Sequence, residues 1–361
     1  MTTSSLVPGS NEPTANASLD TPLSRHTAAY AQLKAQIVSA GILQRSYSFY
    51  AAMIVFAFGG YSLSIWAIVA WESYLALTLA CLGVSFFTAQ LAGLMHDAGH
   101  RAAFRSIRMN NLLGLASTAM IAMVFPSWTE RHNQHHAKPN QDGADPDIEI
   151  PFIALSREEY RAKDAAQRFT ARWQAYYYYP LGAIVGFSNR FGNITYFLRH
   201  PKNAENLLRF AVYVPAMIVL FAGPFILFSL EKALFVFFVT HLSTGIYLAS
   251  CFAPNHKGMR AVERDAQLSF LEQQVTTSRN VSGGLLTDIM LVGLNYQIEH
   301  HLFPNTPRNK LGLLRSYVRA VCVEQGLEYT EVSFLRTNQF LVKHLHGVSR
   351  AQVELQAVPT S

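Results

Sequence analysis

The sequence predicts an all-α integral membrane protein, with four transmembrane helices in two hairpins and a cytoplasmic helical cap that carries clustered histidines. Half of the 361 residues are hydrophobic and only 14% are charged, because four long runs lack charge. A typical soluble domain carries about 25% charged residues. A helix of about 20 apolar residues is long enough to span a bilayer.

The four uncharged runs predict spans at about residues 48–71, 73–95, 210–230 and 233–254. Only a short charged break separates the runs within each pair. Glu72 separates the first two runs, and Glu231 with Lys232 separates the last two. Two helices joined by so few residues lie antiparallel to each other. We therefore expect two transmembrane hairpins.

The distribution of cations predicts the orientation of these spans. With this layout, only Lys232 of the 29 Lys and Arg residues lies on the side of the short turns. Positively charged residues are retained on the cytoplasmic side of a membrane, so both termini and the long middle segment are expected in the cytoplasm. The formal net charge of +6 suits anionic membrane lipids, and we expect no nucleic-acid partner.

The chain ends differ in composition from the middle. Residues 1–27 are rich in Ser, Thr, Pro and Asn and predict a disordered polar tail without a signal peptide. Residues 28–345 are expected to form the membrane domain, which begins with an amphipathic surface helix at 28–43. Residues 346–361 are expected to form a flexible tail.

Two further segments need an interpretation. The apolar stretch at 111–127 has 17 residues, which is at the lower limit for a span, and we expect it to lie at the interface or against the spans. The polar and aromatic segment 157–209 is expected to form cytoplasmic helices that touch the interface. The three cysteines form no CxxC pair, so neither a disulfide framework nor a thiolate metal site is expected.

Seven of the 13 histidines fall into three short clusters beside predicted span ends. The first cluster reads H-D-A-G-H, the second H-N-Q-H-H and the third Q-I-E-H-H. Positions three or four apart share one face of a helix, so the rings within a cluster can point toward one ion. The residues are His96, His100, His132, His135, His136, His300 and His301, with Gln297 in the first position of the third cluster.

This pattern indicates a metal site. Imidazole nitrogen binds iron, copper and zinc, and seven histidines exceed the needs of one tetrahedral zinc ion. They suit two six-coordinate ions with positions left for oxygen. Carboxylates beside the clusters, such as Asp97 and Glu299, are candidates to fix the second ring nitrogen of a ligand. One isolated histidine pair is more often structural, but three clusters on one side of four spans favour function.

The three clusters resemble the histidine boxes of the membrane fatty acid desaturase family. Gln297, with L-F-P soon after it, resembles the front-end branch, whose members insert a double bond between an existing one and the carboxyl end. The N-H pair at 255–256 resembles a further ligand motif. The segments 145–147 and 274–280 are similar to family stretches after the second box and before the third. The likeness covers roughly residues 28–345.

The resemblance implies a set of iron ligands in this chain. Gln297 stands where other branches have histidine, and it is expected to bind the metal directly or through water. Asn255 is expected to act through a water. The implied histidine ligands are His96, His100, His132, His135, His136, His256, His300 and His301.

The resemblance also implies two Fe²⁺ ions, O₂ as co-substrate and a fatty acyl substrate, carried as acyl-CoA or as an acyl-lipid. Many front-end desaturases contain a fused haem-cytochrome domain with an H-P-G-G motif, which this sequence lacks. We therefore expect a separate ferredoxin- or cytochrome-type electron donor with its reductase. The missing cytochrome domain favours the bacterial plasma membrane. No GxGxxG fingerprint follows a strand, so no nicotinamide site is expected.

Three other functions are compatible with clustered histidines in a membrane protein. Lipid and alkane hydroxylases share the same histidine chemistry and differ only in the fate of the substrate radical. A membrane zinc hydrolase would need one zinc ion and no reductant, which the number of histidines disfavours. A haem-binding subunit would need histidine pairs within the spans. His200 is expected in a surface loop, and His241 lies inside the fourth predicted span. The histidines that match no box are His26, His200, His241, His344 and His346.

Overall fold

The computed structural model describes residues 21–150, 152–199 and 204–356, and these residues are mostly helical. In chain order the helices are α1 (Pro22–Ser39), α2 (Tyr47–Ala70), α3 (Tyr74–Gly99), α4 (Ile107–Ile121), α5 (Phe125–Ala137), α6 (Arg157–Ala162), α7 (Ala165–Ala171), α8 (Gln174–Arg199), α9 (Ala204–Met217), α10 (Gly223–Leu227), α11 (Leu230–Phe252), α12 (Phe270–Thr276), α13 (Leu285–Met290), α14 (Gln297–Leu302), α15 (Leu311–Glu324) and α16 (Phe334–Gln356). Two short strands, β1 (Asn280–Ser282) and β2 (Glu331–Ser333), pair in parallel.

Both predicted tails contain helix where the structure describes them. α1 begins at Pro22, inside the predicted polar tail, because the Thr21 side chain caps its first turn and proline suits the first helical position. α16 continues to Gln356, past the predicted start of the flexible tail at 346. One side of α16 is apolar and buried through Leu341 and Leu345, which explains why this amphipathic helix packs on the protein.

Four helical segments are long and apolar enough to cross a membrane, as predicted. The third consists of α9, a π-helical turn at Ile218–Ala222 and α10. Pro215 and Pro224 flank that turn, and proline interrupts the helical hydrogen bonds because it has no N–H to donate. The four segments are Tyr47–Ala70, Tyr74–Gly99, Asn206–Leu227 and Leu230–Asn255.

The ambiguous apolar stretch at 111–127 is not one straight helix. α4 and α5 meet at an angle of 107°, and Ala122 between them has a left-handed φ of 52°. Leu113 and Ile121 of α4 are buried in the core that α2 and α3 form. Because of the bend, α5 and its histidines return toward the end of α3.

α3 is the central helix of the spans. It approaches α2 closely at Gly60, where a Cβ atom would lie 2.1 Å from the ring of Phe87. It contacts α11 through three hydroxyl groups, with Ser85 Oγ 2.6 Å from Ser243 Oγ and 2.9 Å from Thr244 Oγ1. Small residues and side-chain hydrogen bonds are the usual means by which helices associate in lipid.

α8 packs along α11 over a surface of small residues. A Cβ atom at Gly245 would lie 2.3 Å from Cα of Ala183, and one at Gly182 would lie 2.7 Å from Cβ of Ala249. The 157–209 segment therefore contains a 26-residue helix that lies against a candidate span, in addition to the short helices α6 and α7.

A second hydrophobic core lies beside the spans and supports the third histidine cluster. It is formed by α1, α12, α14 and α15, with Leu33, Val275, Ile298 and Leu314 fully buried. β1 and β2 pair next to it, with Val281 opposite Val332. This core holds α14 rigidly against the end of α3.

We expect Gly245→Ala to destabilise the protein by about 1–3 kcal/mol, because the new methyl group overlaps the backbone of α8. Gly59→Ala is the matched control, since a Cβ atom there meets nothing within 4 Å and alanine favours a helix. Thermal unfolding of the detergent-solubilised protein, followed by circular dichroism, measures both. Equal midpoints for the two variants would contradict the close contact of α8 and α11.

Candidate metal centre

Eight histidines from four parts of the chain meet at one end of the spans. His96 and His100 lie in and directly after the last turn of α3. The second cluster occupies the last two turns of α5, and the third occupies α14. His256 follows the short 3₁₀ turn that ends α11. The structure thus brings together all eight histidines that the sequence singled out, although up to 205 residues separate them.

Five of these rings form one group, with a nitrogen atom of each within 4.8 Å of the others. His132 Nε2 lies 2.9 Å from His100 Nε2 and 3.1 Å from His136 Nε2. His300 Nε2 lies 3.1 Å from His136 Nε2. Nitrogen atoms of neutral rings at these spacings surround a volume that suits one metal ion. The five-histidine group consists of His96, His100, His132, His136 and His300.

The other three rings, His135, His256 and His301, form a second group with the same spacing limit. His135 Nε2 lies 3.3 Å from His256 Nε2. The two groups are in contact, since the rings of His136 and His301 stack at 4.1 Å. Two metal-sized groups of imidazole donors therefore lie side by side.

Hydrogen bonds to Nδ1 fix the rings of the three-histidine group. His135 Nδ1 lies 2.9 Å from the Asp145 carboxylate, and His301 Nδ1 lies 2.8 Å from Gln274 Oε1. His256 Nδ1 lies 3.0 Å from the backbone carbonyl of Thr277. When Nδ1 donates to such an acceptor, the Nε2 lone pair of the ring is free to bind a metal.

Burial sets the charge of the rings. Burial is the largest cause that lowers the pKa of four of these rings well below 6.5, and neighbouring histidines lower it further. These four rings are therefore neutral at pH 7, which is the form that binds metals. Three buried nitrogens of the clustered rings, His96 Nε2, His136 Nδ1 and His301 Nε2, have no hydrogen-bond partner among the described residues. The rings with this lowered pKa include His100, His256, His300 and His301.

Gln297 lies at the three-histidine group. Its Nε2 lies 2.8 Å from His256 Nε2, and its Oε1 accepts a hydrogen bond from Asn255 Nδ2 at 3.2 Å. Asn255 Nδ2 also donates to the carbonyl of Leu294 at 3.0 Å, which fixes the orientation of both amides. Gln297 thus turns its N–H toward the ring of His256. Metal binding by Gln297, directly or through water, and a water-mediated role for Asn255 stay predictions.

The two predicted supporting carboxylates have different partners. Asp97 Oδ1 lies 3.5 Å from His96 Nδ1, at the limit of a hydrogen bond. Glu299 accepts hydrogen bonds from Asn280 Nδ2 and Tyr329 Oη, each at 2.7 Å. Burial raises the pKa of Glu299, and these two donors oppose the shift. Among the described contacts of Glu299, none involves a histidine ring. The hydrogen bond from Asn280 instead connects α14 to β1.

The sequence did not assign roles to three groups that contact the clustered rings. The Asp145 carboxylate and the Gln274 amide each hold a ring through Nδ1. Trp128 stacks on His132 with ring centroids 4.4 Å apart. Asp145 and Gln274 lie in stretches that resemble the desaturase family, and this resemblance was the one feature of the sequence that pointed to them. The spacing of residues could not show which side chain faces which ring.

Two cavities border the histidines. One, of about 580 Å³, reaches His96 and His132 and has Met123, Trp128 and Val292 in its wall. Val292 has a φ of 48°, which is rare for a β-branched residue and typical of functional sites. A volume of this size accommodates a small-molecule ligand.

The other cavity, of about 320 Å³, lies between α8 and α11 and reaches His135 and His256. Tyr178 and Leu248 contribute to its apolar part. Three residues contribute to both walls, so the two cavities are neighbouring arms, and each arm borders one histidine group. The residues common to both walls are Arg131, Asp147 and Phe252.

The remaining histidines lie away from the two groups where they are described. His26 is 3.5 Å from Glu272, and His344 Nε2 lies 2.7 Å from the carbonyl of Leu155. His241 packs against aromatic rings within the fourth candidate span, and His346 contacts the ring of Tyr176. His200 lies outside the described residues.

Four candidate spans and a buried double group of histidines define a membrane protein whose site is able to hold metal ions. The chain belongs to the fatty acid desaturase family, because the family model matches residues 70–333. This confirms the family that the histidine clusters predicted.

Individual relatives support the front-end-like branch. The chain is 34% identical over 249 residues to the acyl-lipid 8-desaturase of Rebecca salina, which covers 66% of this chain and 56% of the relative. It is 28% identical over 316 residues to the Δ8 fatty-acid desaturase of Euglena gracilis, covering 83% of this chain and 74% of the relative. It is 27% identical over 271 residues to a Δ5 fatty acid desaturase of Caenorhabditis elegans, covering 72% and 60%. The chain thus spans little more than half of some relatives that it matches.

We expect Asp145→Asn to weaken divalent-metal binding by about 10- to 100-fold, because His135 would lose the carboxylate that holds its ring. Asp142→Asn is the matched control, since that carboxylate is exposed and only pairs with Arg264 at the surface. Competition with a chelator of known affinity measures the binding of Fe²⁺ to both variants. Similar affinities would show that Asp145 does not orient a ligand.

Proposed function

We propose that this protein catalyses the oxygen-dependent desaturation of a fatty acyl chain, with a front-end-like position of the new double bond. The observation that carries the proposal is the pair of contacting histidine groups, in a chain of the fatty acid desaturase family. Desaturation removes two hydrogen atoms from adjacent carbons. Together with two electrons and two protons from the donor, these reduce O₂ to two waters.

Two iron ions fit the donor set. Imidazole suits iron, and eight rings in two groups exceed the ligands of a single tetrahedral ion. One ion would be held by the five-histidine group and the other by His135, His256 and His301, with Gln297 nearby. The bound metals would supply the reductive activation of O₂, and the electrons would come from a ferredoxin- or cytochrome-type donor with its reductase.

The residues of the chain position the substrate and exclude water. The apolar parts of the two cavity walls suit an acyl chain, and each cavity borders one histidine group. A chain that passes Phe252 would present a methylene group to the site. Both acyl-CoA and an acyl-lipid are candidate carriers, because the polar group would stay outside the apolar walls.

The proposed placement in the membrane follows the positive-inside rule. The spans would form two hairpins, since short turns join α2 to α3 and α10 to α11. The histidine cap and both termini would face the cytoplasm, and the bacterial plasma membrane is the proposed location. Residues 28–345 are proposed as the desaturase domain.

We expect His136→Ala to abolish desaturation, because this ring lies between the two groups and contacts both. The measurement is mass spectrometry of total lipids from cells that express the chain with a ferredoxin and its reductase. His346→Ala is the matched control, since this ring lies outside both groups. We expect the control to form the same new double bond as the wild type.

The position of the double bond tests the front-end-like branch. A hydroxylated product would replace desaturation by hydroxylation as the activity. A His136→Ala variant that retains the product would contradict the metal centre. Iron content of the purified wild type, measured alongside, distinguishes a missing metal site from an unsuitable electron donor.

A further inference from the structure

Arg308 connects two parts of the metal centre that are far apart in sequence. It follows the third histidine cluster, yet its side chain reaches the Asp97 carboxylate on α3. Arg308 Nε donates to Asp97 Oδ2 at 2.9 Å, and Nη2 lies 2.9 Å from the same oxygen. Both residues are only 7% exposed. The other oxygen of Asp97 lies 3.5 Å from His96 Nδ1, so the guanidinium is one residue removed from the metal centre.

Two glycines make room for this side chain. A Cβ atom at Gly93, one helical turn before Asp97, would lie 2.5 Å from Arg308 Nη2. A Cβ atom at Gly293 would lie 2.3 Å from Arg308 Cγ, and the φ of Gly293 is +78°. The path of Arg308 through the protein therefore depends on small residues on both sides.

The backbone of Arg308 is also held. Its N–H donates to the hydroxyl of Tyr50 on α2 at 3.2 Å, and Tyr50 is fully buried. The backbone of Arg308 is thus bound to α2, and its guanidinium is bound to α3. These contacts at both ends hold the side chain in the direction of Asp97.

Stability alone does not account for a pair of this kind. Taking a guanidinium and a carboxylate out of water offsets most of their attraction, and apolar residues of similar volume stabilise a core equally well. What an apolar pair cannot supply is a directed hydrogen bond that holds the Asp97 carboxylate beside the ring of His96. The ion pair also fixes α3 relative to the segment of α14, whose His300 ring lies 4.5 Å from that of His96.

We propose that Arg308 is a positioning residue of the metal centre: it holds Asp97 so that the ring of His96 keeps its orientation toward the five-histidine group. The inference rests on the proposed function, because it assumes that this group binds a metal. Arg308 itself does not contact the metal or the substrate.

The test compares Arg308→Gln and Asp97→Asn with the wild type. We expect each variant to bind Fe²⁺ about 10- to 100-fold more weakly, as found when groups that orient a ligand are removed. We also expect a changed Mössbauer quadrupole splitting in ⁵⁷Fe-loaded protein, because the geometry around His96 changes. Arg308→Lys keeps the positive charge but replaces the planar guanidinium with a compact ammonium group. We expect its affinity for Fe²⁺ to lie between those of Arg308→Gln and the wild type.

The double variant Asp97→Asn with Arg308→Gln separates positioning from stability. It contains no unpaired buried charge, so we expect its thermal midpoint to return toward the wild type while the Mössbauer spectrum stays altered. Arg315→Gln is the matched control, since Arg315 pairs with Glu331 at the surface. We expect it to keep the affinity and the spectrum of the wild type.

The outcomes distinguish this inference from the proposed function. Folded variants with wild-type affinity and spectrum would overturn the role of Arg308 alone. So would a double variant that recovers both the midpoint and the spectrum. A wild-type protein that binds iron but forms no double bond with either a ferredoxin-type or a cytochrome-type donor would overturn the proposed activity, and the comparison of iron binding would remain valid. A wild-type protein that binds no iron would overturn both.

Discussion

The structure depends on the burial of eight imidazole rings around one space. Charged rings at these distances would repel one another, and burial keeps His100, His256, His300 and His301 neutral by lowering their pKa. Each neutral ring then has one nitrogen to donate and one to accept. The surroundings satisfy the donor through Asp145, Gln274 and a backbone carbonyl, which directs the other nitrogen inward. The space between the rings is therefore lined by polar groups that carry little net charge.

The helices are placed to deliver the histidines to this space. α3 carries its cluster at the end of its span, with His96 in the last turn and His100 directly after it. The 107° bend between α4 and α5 returns the second cluster to the same end. A separate hydrophobic core holds α14, and the Arg308–Asp97 pair connects that core to α3. Precise placement of ligands on rigid helices is what a metal centre needs for a fixed coordination geometry.

The cavities follow from the same packing. Close contact of α8 and α11 at Gly182 and Gly245 forms one wall of the smaller cavity, and the end of α11 separates the two arms at Phe252. The spans therefore provide both the apolar surface for a membrane and part of the walls of the two cavities beside the histidines. The strained backbone at Val292 lies in the wall of the larger arm, where it directs an apolar side chain beside the histidines.

The sequence by itself determined the four candidate spans, the family and the eight clustered histidines, because apolar length and helical spacing are local properties. It did not reveal the bend at Ala122, the helix that begins at Pro22, or the partners of Glu299. Only the tertiary structure decided that the rings divide into groups of five and three, and that Asp145, Gln274 and Arg308 support them. The physical reason is that the rings are oriented by neighbouring groups, and that one of these, Asp97, is itself held by Arg308 from 211 positions away in the chain. Such contacts exist only once the helices have packed.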